Sequence, residues 1–185
     1  GVMGIEKHCV VKTLRRRFTH DPEYVQRFMQ EARVVVQLSH RNICPVFDVG
    51  RVGQSYYLAM ELVLGRDLRS VQTGLADKKR ILPRAVALHV VCEVLDALDY
   101  AHRHVDTATG KPLHIVHRDV SPQNVMVSAE GEVKLIDFGL AESGKNADTP
   151  STSASTSTVM GKMAYMAPEH ARGERTHPSE LASAE

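Results

Sequence analysis

Asp119, Asn124 and Asp137 are the residues of this chain whose types and spacing can do chemistry. They fall in residues 115–139, IVHRDVSPQNVMVSAEGEVKLIDFG. Within it, Val125-Met126-Val127 and Val133-Lys134-Leu135-Ile136 read as two short strands, and Ala129-Glu130-Gly131-Glu132 reads as a tight turn between them. A hairpin of that size brings Asn124, at the entry of one strand, beside Asp137, at the exit of the other. An amide carbonyl and a carboxylate are hard oxygen ligands, suited to Mg²⁺ that is also bound by phosphate oxygens. Asp119 remains to accept a proton.

His117-Arg118-Asp119 with Asn124, followed by Asp137-Phe138-Gly139, resembles the catalytic loop H-R-D-x-x-x-x-N and the D-F-G motif of the protein kinase family. Val10-Val11-Lys12 is similar to the family's V-A-I-K strand, and Ala167-Pro168-Glu169 to the A-P-E that closes its activation segment. Four motifs in the family's order are a specific signal where one would not be. The resemblance runs from Val10 to Glu169, and the wording HRDVSPQN is more like bacterial members than eukaryotic ones. It implies an α+β, two-lobed fold. Residues 1–63 would supply part of the first lobe and the hinge, and residues 64–185 part of the helical lobe with the catalytic loop and activation segment.

The composition is compatible with that. The chain has 185 residues, 43% hydrophobic and 24% charged, enough for one domain with a core. A net charge of +1 gives no reason to expect nucleic acid or an anionic membrane as partner. Cys9, Cys44 and Cys92 are scattered and form no CxxC, which reads as reduced thiols in a cytoplasmic protein. No apolar run approaches the ~20 residues that cross a bilayer, and the N-terminus has no apolar leader core. No membrane contact is expected of this segment.

The elements that must hold the chemistry follow from the pattern. Residues 8–12 read as a strand ending on Lys12. Asp21 and Pro22 suit an N-cap and first turn, and Val25, Phe28, Met29, Ala32, Val35 and Val36 recur at helical spacing. Glu31 borders that apolar face and needs a partner or a place at the rim. Leu38-Ser39-His40-Arg41-Asn42-Ile43 ends the helix. Residues 44–49 and 55–61 read as a hairpin turning at Gly50-Arg51-Val52-Gly53. Residues 83–104 read as a long amphipathic helix burying Val86, Val90, Val94, Leu95, Leu98 and Ala101. Gly110-Lys111 is not a phosphate-loop motif, because Val105 stands where its first glycine belongs. His102, His104, His114 and His117 have no cysteine or acid at ligand spacing to complete a zinc set.

The resemblance assigns roles to these positions. Lys12, paired with Glu31, orients the ATP phosphates. Met60 guards the back of the adenine pocket, the backbones of Glu61 and Val63 face adenine, Met126 lies against it, and Asp67 meets the ribose. His117 packs under Phe138, in a column with Val35 and Val46. Asn124 and Asp137 hold Mg²⁺, and Asp119 takes the proton of a serine or threonine hydroxyl on a protein substrate. Residues 141–158, dense in serine and threonine, read either as a flexible low-complexity loop or as an activation loop whose phosphate pairs with Arg118.

Two positions depart from the family. Ser121 stands where serine/threonine kinases carry lysine, and Lys162 stands where they carry threonine in the segment before A-P-E. Either Lys162 supplies the missing cation beside Asp119 while Ser121 supplies the hydrogen bond, or Lys162 points to solvent. A glycine-rich phosphate loop before Lys12 is missing, since Gly1-Val2-Met3-Gly4 does not match it, and residues 172–185 lack the helix expected after A-P-E. The chain therefore reads as the middle of a kinase domain, cut at both ends. Two functions stay open: an active Mg·ATP-dependent protein kinase, or a non-catalytic kinase-like module that binds nucleotide or a partner protein.

Overall fold

The computed structural model describes residues 7–107, 109–113, 115–138 and 165. Its first half is an antiparallel sheet with one helix. Strand β1 (Cys9–Thr13) and strand β2 (Val46–Val52) flank β3 (Ser55–Glu61) in the order β1-β3-β2. Lys12 sits opposite Leu58, and Val10 opposite Met60. Between β1 and β2 runs α1 (Pro22–Val35), with Asp21 as N-cap: its carboxylate accepts the Glu23 backbone N–H.

The buried stripe of α1 is Phe28, Glu31, Ala32, Val34 and Val35. Val36, expected inside, is 55% exposed. Glu31 lies within the stripe rather than at its border, so the buried face is rotated toward the glutamate and Val36 is turned out. The β2–β3 turn also differs from expectation. Strand β2 continues through Gly50-Arg51-Val52, Val52 pairs with Ser55, and the loop is only Gly53-Gln54. Gly53 has φ +59°, the left-handed backbone that a two-residue hairpin loop needs.

Beyond β3 come two elements the pattern did not suggest, β4 (Gly65–Asp67) and α2 (Leu68–Ala76). A Cβ on Gly65 would lie 1.9 Å from the Val127 carbonyl oxygen, so only glycine lets β4 pair so closely there. The second sheet is β4-β5-β6, with β5 (Val125–Ser128) and β6 (Val133–Leu135) forming the expected hairpin. The long helix α3 (Arg84–Arg103) forms where expected, but its face is narrower. Val90, Ala97 and Ala101 are buried and Val94 and Leu98 partly so, while Val86 and Leu95 are exposed. Small Ala97, at 0% exposure, is what lets the helix axis approach the core.

One core cluster runs through both sheets. It includes Phe28, Ala32, Val35, Leu58, Ala97, Ile115, Val125, Leu135 and Phe138. Residues 42–44 tie the halves together. Leu135 N–H donates to Asn42 O at 2.7 Å, Cys44 N–H donates to Leu135 O at 3.0 Å, and Ile43 bridges Leu135 in parallel. The segment leaving α1 thus docks along β6, which leads to Asp137. No described helix is long and apolar enough to cross a membrane.

Candidate active site

Three sequence-distant residues meet at Lys12. Its Nζ donates to Glu31 Oε1 at 2.6 Å and to Asp137 Oδ1 at 2.5 Å. Strand β1 delivers the lysine, the capped helix α1 the glutamate, and the strand exit of β6 the aspartate. Burial pushes the Lys12 ammonium down, but the charges of Glu31 and Asp137 outweigh it and its pKa lies above the ordinary 10.5. Glu31 lies above the ordinary 4.5: burial raises it, and Lys12 offsets this only in part. The asymmetry is physical. Lys12 sees two carboxylates, whereas Glu31 sees one ammonium and a further carboxylate beyond it.

The catalytic loop is built locally. His117 Nδ1 accepts the Asp119 backbone N–H at 3.2 Å, so Nε2 carries the ring proton and donates to Ile136 O at 3.2 Å. The ring packs on Phe138 with centroids 4.4 Å apart, as expected, and Val35 and Val46 belong to the same packed core. Burial lowers the His117 pKa below the ordinary 6.5, because neither a proton at Nδ1 nor a charged ring suits this site. Asn124 Nδ2 donates to Asp119 O at 2.8 Å and to Asp119 Oδ2 at 3.0 Å. Ile136 N–H donates to Asn124 O at 2.9 Å, which sets Asn124 beside the residue preceding Asp137.

This arrangement fits a hard cation. The Asn124 amide turns its nitrogen toward Asp119, so its carbonyl oxygen is the atom presented on the other side. Asp137 adds a half-exposed carboxylate. Both Arg118 (φ +62°) and Asp137 (φ +65°) occupy the left-handed region, uncommon for residues with a Cβ and typical of functional sites.

The remaining expected site residues fall as follows. Met60 lies near the end of β3 and packs partly buried against the core, and Glu61 closes the strand. Val63 follows in the link to β4. Met126 sits between Asp67 and Lys134 in the β4-β5-β6 register. Asp67 has a structural task the sequence reading did not see. It caps α2, accepting Ser70 N–H at 2.9 Å and the Ser70 hydroxyl at 2.5 Å. Ser121 is 4% exposed, and its enclosed hydroxyl has no hydrogen-bond partner among the described residues. Gly139, Lys162, Glu169, the hydroxyl-rich residues 141–158 and residues 172–185 lie outside the described residues.

Three participants were not singled out from sequence. Asn42, 3% exposed, donates to Glu93 Oε2 at 2.5 Å and to Val133 O at 2.9 Å. Arg41 adds contacts to Glu93 and Asp96 on α3. Lys134 pairs with Glu61 at 2.9 Å. Lys134 carried a readable signal: a lysine inside the apolar run Val133-Lys134-Leu135-Ile136 requires a partner.

The family model for the protein kinase domain matches residues 3–181. The chain belongs to the protein kinase family. Among curated bacterial relatives, it is 36% identical over 174 residues to the tyrosine-protein kinase MasK of Myxococcus xanthus, covering 94% of this chain and 26% of that protein. It is 31% identical over 169 residues to the serine/threonine-protein kinase PrkC of Bacillus subtilis, covering 91% of this chain and 24% of that one. The chain therefore spans about a quarter of the length of these relatives. The crystal structure of the PknI kinase domain of Mycobacterium tuberculosis superposes with a TM-score of 0.63 at 29% identity, over 95% of this chain and 59% of that one. The chain is mixed α+β and covers part of the two-lobed kinase fold.

Proposed function

We propose that this chain carries the phosphoryl-transfer site of an Mg·ATP-dependent protein kinase acting on serine or threonine hydroxyls. The observation that carries the reading is Lys12 Nζ held between Glu31 and Asp137. A lysine fixed by a buried glutamate is a point cation of set position, and the carboxylate it also touches belongs to the proposed metal site. Bound Mg²⁺ supplies charge neutralisation on the phosphate oxygens, and Asn124 and Asp137 are the residues that would hold it. Among the described residues no three His, Cys, Asp or Glu side chains converge as a metal cluster.

The chain's own groups divide the rest. Lys12 orients the transferring phosphate chain, and Glu31 holds Lys12. Asp119, braced by Asn124 Nδ2, orients the substrate hydroxyl and accepts its proton. The Glu61 and Val63 backbones receive adenine, Met60 and Met126 border it, and Asp67 takes the ribose with the carboxylate edges that Ser70 leaves. Lys162 supplies a cation beside Asp119, and Ser121, whose hydroxyl has no hydrogen-bond partner among the described residues, supplies the hydrogen bond. Near-normal transfer by both Lys162→Ala and Lys162→Met would remove Lys162 from this scheme. The choice of serine or threonine follows the names of relatives such as PrkC, while MasK is named for tyrosine.

The test is ATP binding by the full chain with and without Mg²⁺, followed by transfer to acceptors bearing serine, threonine or tyrosine. Mg²⁺-dependent binding abolished by Asp137→Ala, with phosphate on serine or threonine, is expected. Binding without transfer would favour the non-catalytic module, and no binding would overturn the site.

A further inference from the structure

Glu61 is held on three sides. Its N–H donates to Pro45 O at 3.0 Å, and its carbonyl accepts the buried Cys44 thiol at 3.6 Å. Burial first, and Glu61 second, push that thiol up to about 11, so at neutral pH it remains a neutral donor. The Glu61 carboxylate oxygen Oε2 is fully enclosed, with Lys134 Nζ 2.9 Å away. That contact is an ion pair without the alignment of a hydrogen bond, and the Lys134 side chain is only 12% exposed.

The two partners belong to different sheets. Glu61 is the last residue of β3, where the first lobe gives way to the link. Lys134 is the middle residue of β6, paired with Met126 and three residues before Asp137. We infer that Lys134 is a positioning residue for nucleotide: through Glu61 it sets the strand end whose backbone receives the base. This rests on the nucleotide-site reading above. The Glu61 side chain is 29% exposed, but its Oε2 is enclosed, and such a partly enclosed pair resists separation because parting its members leaves that oxygen uncompensated. The same link joins the base-reading strand to the strand that leads into the metal-site aspartate. Any rotation of one sheet against the other must stretch it.

The experiment measures affinities of the full chain for Mg·ATP and for adenosine, with Lys134→Met, Lys134→Arg, Glu61→Gln and the Glu61→Gln/Lys134→Met pair, beside Lys12→Met. Melting curves select variants that fold. Lys134→Met is expected to weaken ATP and adenosine by the same factor, about tenfold, a size usual for coupled contacting residues. Lys134→Arg keeps both affinities, and the double variant is no weaker than the worse single one. An unchanged ATP affinity in folded Lys134→Met overturns the inference. So does a loss confined to ATP, since the pair would then act through the phosphate side, and so do additive losses in the double variant. Lys12→Met separates the two levels. If it also leaves ATP affinity unchanged, the site reading fails. If it weakens ATP and Lys134→Met does not, only the positioning role fails.

Discussion

The Lys12–Glu31–Asp137 triad and the His117–Asn124 loop sit side by side but are built in opposite ways. The triad joins residues 19 and 125 positions apart through charged side chains alone. Within itself the loop joins residues two and five apart, its tie from His117 to Ile136 O spans 19 positions, and backbone groups take part in most of its contacts. Local hydrogen bonds order few residues for each bond made, whereas the triad exists only after α1, β1 and β6 have docked. The loop is therefore the floor of the site, and the triad is a clamp whose three side chains meet only through that docking.

The largest expected effects set the two regions against each other. Asp119→Asn should leave Mg·ATP affinity nearly intact and lower phosphoryl transfer by about 10²-fold or more, because it removes the proton acceptor but keeps the hydrogen bond from Asn124. Lys12→Met should lower both affinity and transfer. Equal losses of affinity in the two variants would erase the distinction between floor and clamp. The readouts are nucleotide titration and single-turnover transfer.

Acidification should separate the regions by sign. Glu31 has a raised pKa, so its contribution to stability is present below 4.5 and lost as pH rises through its folded value. Falling pH thus does not unfold the chain through Glu31. It removes one of the two anions on Lys12, and nucleotide affinity should drop with a midpoint above 4.5. His117 has a lowered pKa, so its contribution is present above 6.5 and is lost as pH falls toward its folded value. Melting temperature should therefore fall below about pH 6.5, and His117→Phe should flatten that part of the curve. Glu31→Gln should flatten the binding profile and remove the loss of stability that Glu31 causes as pH rises through its folded value.

The same contrast explains what was legible in sequence. The β5–β6 hairpin, the placement of Asn124 beside Ile136, the α1 cap and the boundaries of α3 all follow from local rules of turn, cap and period. The Lys12–Glu31 pair came only from the family resemblance, because nothing in a strand lysine names a helix glutamate. The exposed Val86 and Leu95, and the buried Val34, were misjudged for a physical reason. Periodicity finds an apolar arc, but the docking partner selects which part of it is covered. Asp67 was read as a ligand residue, and its capping of α2 was missed because α2, nine residues long and burying no side chain, was not foreseen.

Asn42 tests whether the clamp depends on the docking of the segment after α1. Asn42→Ala removes the bonds to Glu93 and to Val133 O, and leaves a mostly buried Glu93 with Arg41 at 3.2 Å and His89 at 4.0 Å. Loss of a buried bond to a charged group costs about 2 kcal/mol. Nucleotide affinity should weaken as well, because this segment carries the end of α1 and hence Glu31. A variant as destabilised as expected but with unchanged affinity would show that Glu31 is placed by α1 packing alone.

Asp21 offers the mildest probe, and it acts on the clamp from the far end of the same helix. The residue is a half-buried N-cap whose carboxylate accepts the Glu23 backbone N–H in the first turn, ten residues before Glu31. Asp21→Ala should lower stability by about 1 kcal/mol, the usual size for a lost cap. Asp21→Ser should recover most of it. Fraying of the first turn stops well short of Glu31, which is anchored among Phe28, Ala32 and Val35, so nucleotide affinity should stay within about twofold, less than 0.5 kcal/mol. A larger loss of affinity, matched in size to the loss of stability, would mean that α1 shifts as a rigid rod. The clamp would then be set by the whole helix rather than by the packed turn that bears the glutamate.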